Sequence, residues 1–151
     1  MQILVINCGS SSIKADIIDT LTKKSIFELD AERINTSPEI TINKNLVEYN
    51  GEINFKNILQ FCFQKIKNDE LSNSIVGIGH RVVHGGDVYQ QPVLIDEHVE
   101  KIIEDLCSLA PLHNPANLAG IQEAKEIFPS LPNVAVFDTA FHQTIPNRAK
   151  Y

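Results

Sequence analysis

The first strands of the fold are encoded in residues 2–19, which read QILVINCGSSSIKADIID. The four consecutive apolar residues at 3–6 are typical of a strand buried on both faces. After a turn at residues 9–12, Ile13, Ala15 and Ile17 alternate with polar residues, which is the period-two pattern of a second strand. The segment therefore predicts a sheet that begins at the N-terminus, with a Gly-Ser turn at one end of its first two strands.

Further strands are indicated by the same patterns. Residues 26–33 alternate apolar with polar, mostly acidic side chains and predict a third strand. Residues 39–49 predict a small hairpin that turns at residues 43–45. Apolar runs at 74–83 and 133–138 predict two more strands.

Three helices are expected between these strands. Apolar residues recur at helical spacing behind possible caps at Asn54 and Asp96. Asn114 followed by Pro115 is typical of a helix start, and Pro129 stops that helix near residue 128. Antiparallel strands followed by alternating helices and strands predict an α/β fold, a mixed sheet with helices on its faces.

The composition is that of one globular domain. The chain has 151 residues, of which 43% are hydrophobic and 21% charged, and its net charge is −6. This charge argues against a nucleic-acid or membrane partner. Cys8, Cys62 and Cys107 are widely spaced and indicate reduced thiols rather than a disulfide framework or a zinc site. Since residues 1–7 do not resemble a signal peptide and no apolar run is long enough to span a membrane, we expect a cytoplasmic protein.

The turn between the first two strands is the first candidate site. It combines Gly9 with three consecutive hydroxyl residues, and it is flanked by Asn7 and Lys14. Closely spaced N–H and O–H donors and a lysine can bind phosphate oxygens. An ordinary hairpin turn has the same composition, so the turn alone leaves both interpretations open.

The second candidate is the string GHRVVHGG at residues 79–86. Arg81 can present a planar pair of donors to a carboxylate or a phosphoryl group. Two histidines and an arginine at the end of a buried strand are costly unless they are paired or lie in a solvated cleft. A structural salt bridge is the alternative role for Arg81.

The third candidate, residues 109–115, places His113 immediately before a predicted helix N-terminus. The helix dipole there favours an anion and a neutral imidazole. The alternative is that Asn114 caps the helix while His113 packs.

The fourth candidate begins at Asp138, which follows the last predicted strand. A carboxylate at the carboxyl end of a central strand faces the crevice where α/β proteins bind ligands, and aspartate is a natural magnesium ligand. A turn-forming role is the alternative.

The four strings together resemble the acetate kinase family, which belongs to the acetate and sugar kinase/actin-like ATPase superfamily. They are NCGSSSIK at 7–14, GHRVVHGG at 79–86, LAPLHNPAN at 109–117 and VAVFDTAFHQT at 134–144. The resemblance implies two domains of ribonuclease-H-like topology with the active site between them. On this basis residues 1–151 are expected to be the N-terminal domain of a two-domain kinase, without its C-terminal, adenosine-binding domain.

The resemblance also implies roles for individual residues. Arg81 would hold the substrate carboxylate and then the phosphoryl group, His113 would donate to the transition state, and Asp138 would bind magnesium or orient the reacting groups. The ATP phosphates and the metal would lie near Asn7, Ser10, Ser12 and Lys14, with Asn7 and Asp138 as the metal-binding residues. The apolar pocket around the acetate methyl would include Val83 and Leu112.

The implied reaction is the reversible, ATP-dependent phosphorylation of acetate to acetyl phosphate, with ADP as the other product and Mg²⁺ (or Mn²⁺) as the metal. The complete protein is expected to be a homodimer, and residues 1–151 alone are expected to be inactive. One alternative is a propionate or butyrate kinase of the same family, because one methylene changes binding in an apolar pocket only modestly. A non-catalytic phosphate- or nucleotide-binding module is the other alternative.

Overall fold

The computed structural model describes residues 1–82, 91–108 and 114–137. The strands are β1 (Gln2–Cys8), β2 (Ile13–Asp19), β3 (Ser25–Glu32), β4 (Glu39–Ile42), β5 (Asn45–Val47), β6 (Ile75–Val82), β7 (Val93–Leu94) and β8 (Asn133–Phe137). The α-helices are α1 (Phe55–Asn68), α2 (Glu97–Asp105) and α3 (Asn114–Ile127), and short 3₁₀ helices occupy Glu70–Ser74 and Leu106–Ser108.

The strands form one sheet in the order β5-β4-β3-β2-β1-β6-β8-β7. Strands β1 to β5 pair antiparallel in chain order. By contrast, β6 runs parallel to both β1 and β8. The prediction of a mixed α/β sheet is therefore confirmed, and the three parallel strands β1, β6 and β8 lie side by side within it.

The strand β7 at the edge of the sheet was not predicted. It has only two residues, Val93 and Leu94, and it pairs antiparallel with β8. A period-two pattern cannot be recognised in two residues, and β7 follows a stretch with no clear apolar alternation. The pairing of β7 with β8 is tertiary information that the local sequence does not carry.

Helix caps and turn residues set several element boundaries. The side chain of Asn54 accepts a hydrogen bond from the Asn57 N–H at 2.8 Å, and that of Asp96 accepts from the Val99 N–H at 2.8 Å, as predicted. Asn43 and Lys44 have φ angles of 51° and 68°, the left-handed geometry of a tight hairpin turn between β4 and β5.

All three described helices pack on the same face of the sheet. The inward side chains of β1, including Leu4, Ile6 and Cys8, belong to one core with residues of α1 and α3. A second, smaller core joins Val82 and Phe137 to α2 and α3. The opposite face of β1, β6 and β8 is called the open face below, because no helix of the described ranges covers it.

Two further expectations concern the thiols and the membrane. Cys8, Cys62 and Cys107 are free thiols, the first two buried and the third partly buried. Within the described ranges, none of the helices has the length and apolar character needed to cross a membrane.

Candidate functional site

The predicted phosphate turn connects β1 to β2 and is closed by its own backbone. The Gly9 N–H donates to the Ser12 carbonyl oxygen at 2.8 Å, and Ser10 and Ser12 are exposed. The turn leads from strand to strand, so its donors are not those of a helix N-terminus. It therefore presents three exposed serines at the end of two central strands, and residues 9–12 are called the serine turn below.

Three groups from elsewhere in the chain hold this turn. The Ile34 N–H donates to the Ser11 carbonyl oxygen at 3.1 Å. The Asn35 side-chain N–H donates to the Ser10 carbonyl oxygen at 2.9 Å. From α3, the Asn117 side-chain N–H donates to the carbonyl oxygen of Cys8, the last residue of β1, at 2.6 Å.

Asn7 and Lys14 lie directly opposite each other on β1 and β2. Because side chains alternate along a strand and Ile6 and Cys8 face the helices, both residues lie on the open face. Asn7 is half-buried and Lys14 is exposed, with Asp30 of β3 on its other side. One amide and one ammonium group thus stand beside the turn.

Arg81 is on the same face, near the carboxyl end of β6. In the parallel pair of β1 and β6, Val5 lies opposite Gly79, so Asn7 and Arg81 each lie two residues beyond that pair. Arg81 is exposed and is opposite Val136 on the next parallel strand, β8. The structure therefore places an arginine one strand away from Asn7, at the same end of the sheet.

A groove of about 640 Å³ runs over the open face below Arg81. Gly77 and Gly79 form part of its floor because neither carries a side chain, and the surrounding residues are Ile3, Val5, Ile78, His80, Pro132, Val134 and Val136. Among the described residues that line the groove, all but His80 and Arg81 are apolar, and Arg81 is the one cationic group, at the carboxyl ends of the strands.

His80 is among the residues that line the groove, but its ring is buried and has a structural role. Its side chain is 2% exposed, and its Nε2 is hydrogen-bonded to Asn133 Oδ1 at 2.7 Å. Burial lowers the pKa of His80 to about 4, although the hydrogen bond to Asn133 acts in the opposite direction. His80 is therefore neutral at pH 7, and its polar ring is paired inside the protein.

An acidic strip lies on the open face on the other side of Lys14. Burial raises the pKa of Asp16, while the nearby Lys14 acts to lower it. Farther out, Asp30, Glu32, Glu39 and Thr41 line a depression of about 270 Å³. Anions would therefore find the favourable field near the turn and Arg81, and an unfavourable one toward β3 and β4.

Four of the predicted site residues lie outside the described ranges. They are Val83 and Leu112 of the apolar pocket, His113 and Asp138. The structure brings the described site residues to the end of the sheet where β1 and β6 have their carboxyl ends. They are Asn7, Ser10, Ser12, Lys14 and Arg81. In residues 1–82, 91–108 and 114–137, no group of three histidine, cysteine, aspartate or glutamate side chains could hold a metal ion.

Two residues whose side chains hold the serine turn were not among the predicted site residues. Asn117 is inside the string at 109–117, but its contact with Cys8 joins residues 109 positions apart. Asn35 lies in a short segment after β3 that has no recognisable motif. A polar residue in an otherwise apolar helix face was a usable signal for Asn117, which is 3% exposed.

Comparison with known proteins gives consistent results for sequence and structure. The sequence matches the model of the Acetokinase family over residues 2–151. An acetate kinase of Clostridium acetobutylicum is 46% identical over 158 residues, covering 99% of this chain and 39% of that protein.

Two solved structures superimpose on most of the chain. A propionate kinase from Francisella tularensis has a TM-score of 0.84 at 41% identity, covering 97% of this chain and 39% of its own. An acetate kinase of Porphyromonas gingivalis has a TM-score of 0.81 at 31% identity, with the same two coverages. The fold is that of the actin-like ATPases, and the chain spans about two fifths of the length of these relatives.

Proposed function

Because the chain belongs to the acetokinase family, we propose that it is the N-terminal, ribonuclease-H-like domain of a two-domain kinase that phosphorylates acetate with ATP. One observation carries the proposal. The carboxyl ends of the parallel strands β1, β6 and β8 lie at the same end of the sheet, and the serine turn, Asn7 and Arg81 lie at that end. This is where α/β sheets bind ligands, and these groups suit phosphate and carboxylate.

The turn and Lys14 are the proposed contacts to the ATP phosphates. Ser10 and Ser12 offer exposed hydroxyl and backbone donors, and Lys14 adds a mobile positive charge on the adjacent strand. Together they would hold the phosphate groups in a fixed position beside the turn. Holding both reactants in line is the main catalytic requirement of phosphoryl transfer.

Arg81 is the proposed contact to the acetate carboxylate and then to the transferred phosphoryl group. Its guanidinium can bind two oxygens at once, which suits either a carboxylate or a phosphoryl group. Acetate is already ionised at neutral pH, since carboxyl groups ordinarily have pKa values near 4. Its oxygen can therefore attack phosphorus without a general base, and catalysis reduces to neutralising and aligning anions.

Asp138, His113, Val83 and Leu112 complete the proposal with the roles that the resemblance implies. Because no base is needed, Asp138 is proposed as a metal-binding or orienting group. Mg²⁺ would be held by Asn7 and Asp138 with the phosphates, because oxygen ligands are the ones that it prefers. When bound, it would neutralise negative charge on the phosphoryl oxygens. His113 would donate a hydrogen bond to the same oxygens, and Val83 and Leu112 would surround the methyl group.

The test is acetyl phosphate formation by the complete protein with and without Arg81. Arg81→Ala is expected to lower kcat/KM for acetate by about 10²–10³-fold, the loss seen when a transition-state donor is removed. Lys101→Ala is the matched control, because it removes a positive charge from an exposed position that pairs with Asp105 on α2. Near wild-type rates for Arg81→Ala would refute the assignment.

A propionate kinase is the second candidate, because the protein from Francisella tularensis named as one is 41% identical to this chain. One methylene is worth about 1–3 kcal/mol in an apolar pocket, so the two activities differ in degree. Comparing kcat/KM for acetate, propionate and butyrate with the complete protein separates them. A higher value for propionate than for acetate would establish the second candidate in place of the first.

The proposal includes a cytoplasmic location and a homodimer of the complete protein. The three free thiols support a reducing compartment. The dimer rests on the family resemblance, and light scattering of the complete protein tests it. A monomeric mass at the concentration of the activity assay would remove the dimer from the proposal.

A further inference from the structure

The carbonyl oxygens of the serine turn are engaged by protein donors. Asn117 reaches the Cys8 carbonyl, Asn35 reaches that of Ser10, and the Ile34 N–H reaches that of Ser11. The fourth, that of Ser12, accepts from Gly9. In the segment from Cys8 to Ser12, every backbone carbonyl oxygen except that of Gly9 therefore accepts a hydrogen bond from within the protein.

This pattern fixes the direction of the N–H groups. The described peptide bonds are all trans, so the C=O and the following N–H of each peptide point in opposite directions. Because the Ser10 carbonyl points toward Asn35, the Ser11 N–H points away from it. The Ser12 N–H likewise points away from Ile34. The two N–H groups thus face the side of the turn opposite residues 34 and 35.

The contact from α3 is the buried one of the two side-chain contacts, and the contact from Asn35 is exposed. Asn117 is 3% exposed, and its amide reaches a carbonyl beyond Ile6 and His80, the last pair of β1 and β6. Gly120, one helical turn later, lies so close that an added Cβ would be 2.8 Å from Cys8 Sγ. The helix therefore rests directly on the end of β1.

We infer that Asn117 and Asn35 are positioning residues, whose side-chain amides hold the turn with its N–H donors directed at the phosphates of the nucleotide. The inference rests on the proposed function, in which this turn binds ATP. Neither amide is required to touch the ligand. Each acts through a backbone carbonyl of the turn, Asn117 from the buried side and Asn35 from the exposed side.

The experiment uses the complete protein and the variants Asn117→Asp, Asn117→Ala and Asn35→Ala. Asn117→Asp keeps the size of the side chain but removes the N–H donor in its ionised form. Asn35→Ala changes an exposed residue and so tests the inference even where the buried variants fail to fold. Asn68→Ala, also an exposed asparagine paired through its side chain, is the matched control.

Two measurements are made on each variant: the dissociation constant of MgADP by calorimetry, and the KM values for ATP and acetate. Losing one hydrogen bond that orders the donors is expected to weaken nucleotide binding about three- to tenfold. The KM for acetate should stay within about twofold, because acetate is held by Arg81 and not by the turn. Asn68→Ala should leave all values unchanged.

The outcomes separate this inference from the proposed function. If wild-type protein binds MgADP but forms no acetyl phosphate, the proposed reaction is contradicted. The MgADP constants of the variants then still decide the inference. Wild-type protein that binds no MgADP overturns both. A wild-type MgADP constant for Asn35→Ala, or parallel changes in the KM values for ATP and acetate, overturns the inference, because such results indicate no role or a general structural one.

Discussion

Acidification should destabilise the folded chain through His80 before most carboxylates are protonated. Burial lowers the pKa of His80 from its ordinary value of 6.5 to about 4 in the folded state. The unfolded chain therefore binds more protons between these two values, and stability falls as the pH falls from 6.5 toward 4. Above pH 6.5 both states are neutral at this residue and the effect disappears.

The magnitude follows from the two pKa values. One pKa unit corresponds to about 1.4 kcal/mol, so integrating the difference between pH 7 and pH 5 gives a loss of about 2 kcal/mol. This is a substantial part of the roughly 5–15 kcal/mol by which native domains are stable. The assay is urea unfolding of the 151-residue chain at pH 7 and pH 5, followed by circular dichroism.

A non-titrating variant isolates the contribution of the histidine. His80→Gln should lose about 2 kcal/mol less stability than wild type between the two pH values, whatever its stability at pH 7. His98→Gln makes the same substitution at an exposed position of α2 and should keep the wild-type difference. Equal losses for His80→Gln and wild type would show that the buried ring does not hold its pKa low.

Two further predictions concern the contact between α3 and β1 and the thiols. Gly120→Ala should destabilise the chain by about 1 kcal/mol, because overpacking against Cys8 Sγ at 2.8 Å costs about 1–3 kcal/mol while the helix gains about 1 kcal/mol. Urea unfolding should show the loss reduced in a Cys8→Ala background, and equal losses in both backgrounds would contradict the contact. Burial raises the pKa of the Cys8 and Cys62 thiols to about 12, so neither should react with iodoacetamide at pH 8 until the chain unfolds. Mass spectrometry of the labelled native chain checks this, and rapid labelling of Cys62 would contradict it.

The sequence predicted the regular elements well because their signals are local. Alternation in residues 26–33 and the caps at Asn54 and Asp96 depend on neighbours within a few positions, and the structure confirms them. The family resemblance is confirmed over residues 2–151 for the same kind of reason, since it rests on contiguous strings.

The parts that the sequence did not predict depend on contacts between distant residues. The local sequence around His80 is compatible with a cleft or with a paired interior, and only its bond to Asn133 decides between them. Asn35 and Asn117 were missed because their partners are backbone carbonyls 25 and 109 positions away. The roles of the site residues themselves remain predictions, since they depend on ligands and on residues beyond the described ranges.

The order of the strands has a consequence for how the chain acquires its structure. Each of the strands from β1 to β5 pairs with the strand that is synthesised next, so this meander closes through short loops. The parallel partner of β1 begins only at Ile75, after α1 has been made. One side of β1 therefore has no strand partner during synthesis until β6 has been made.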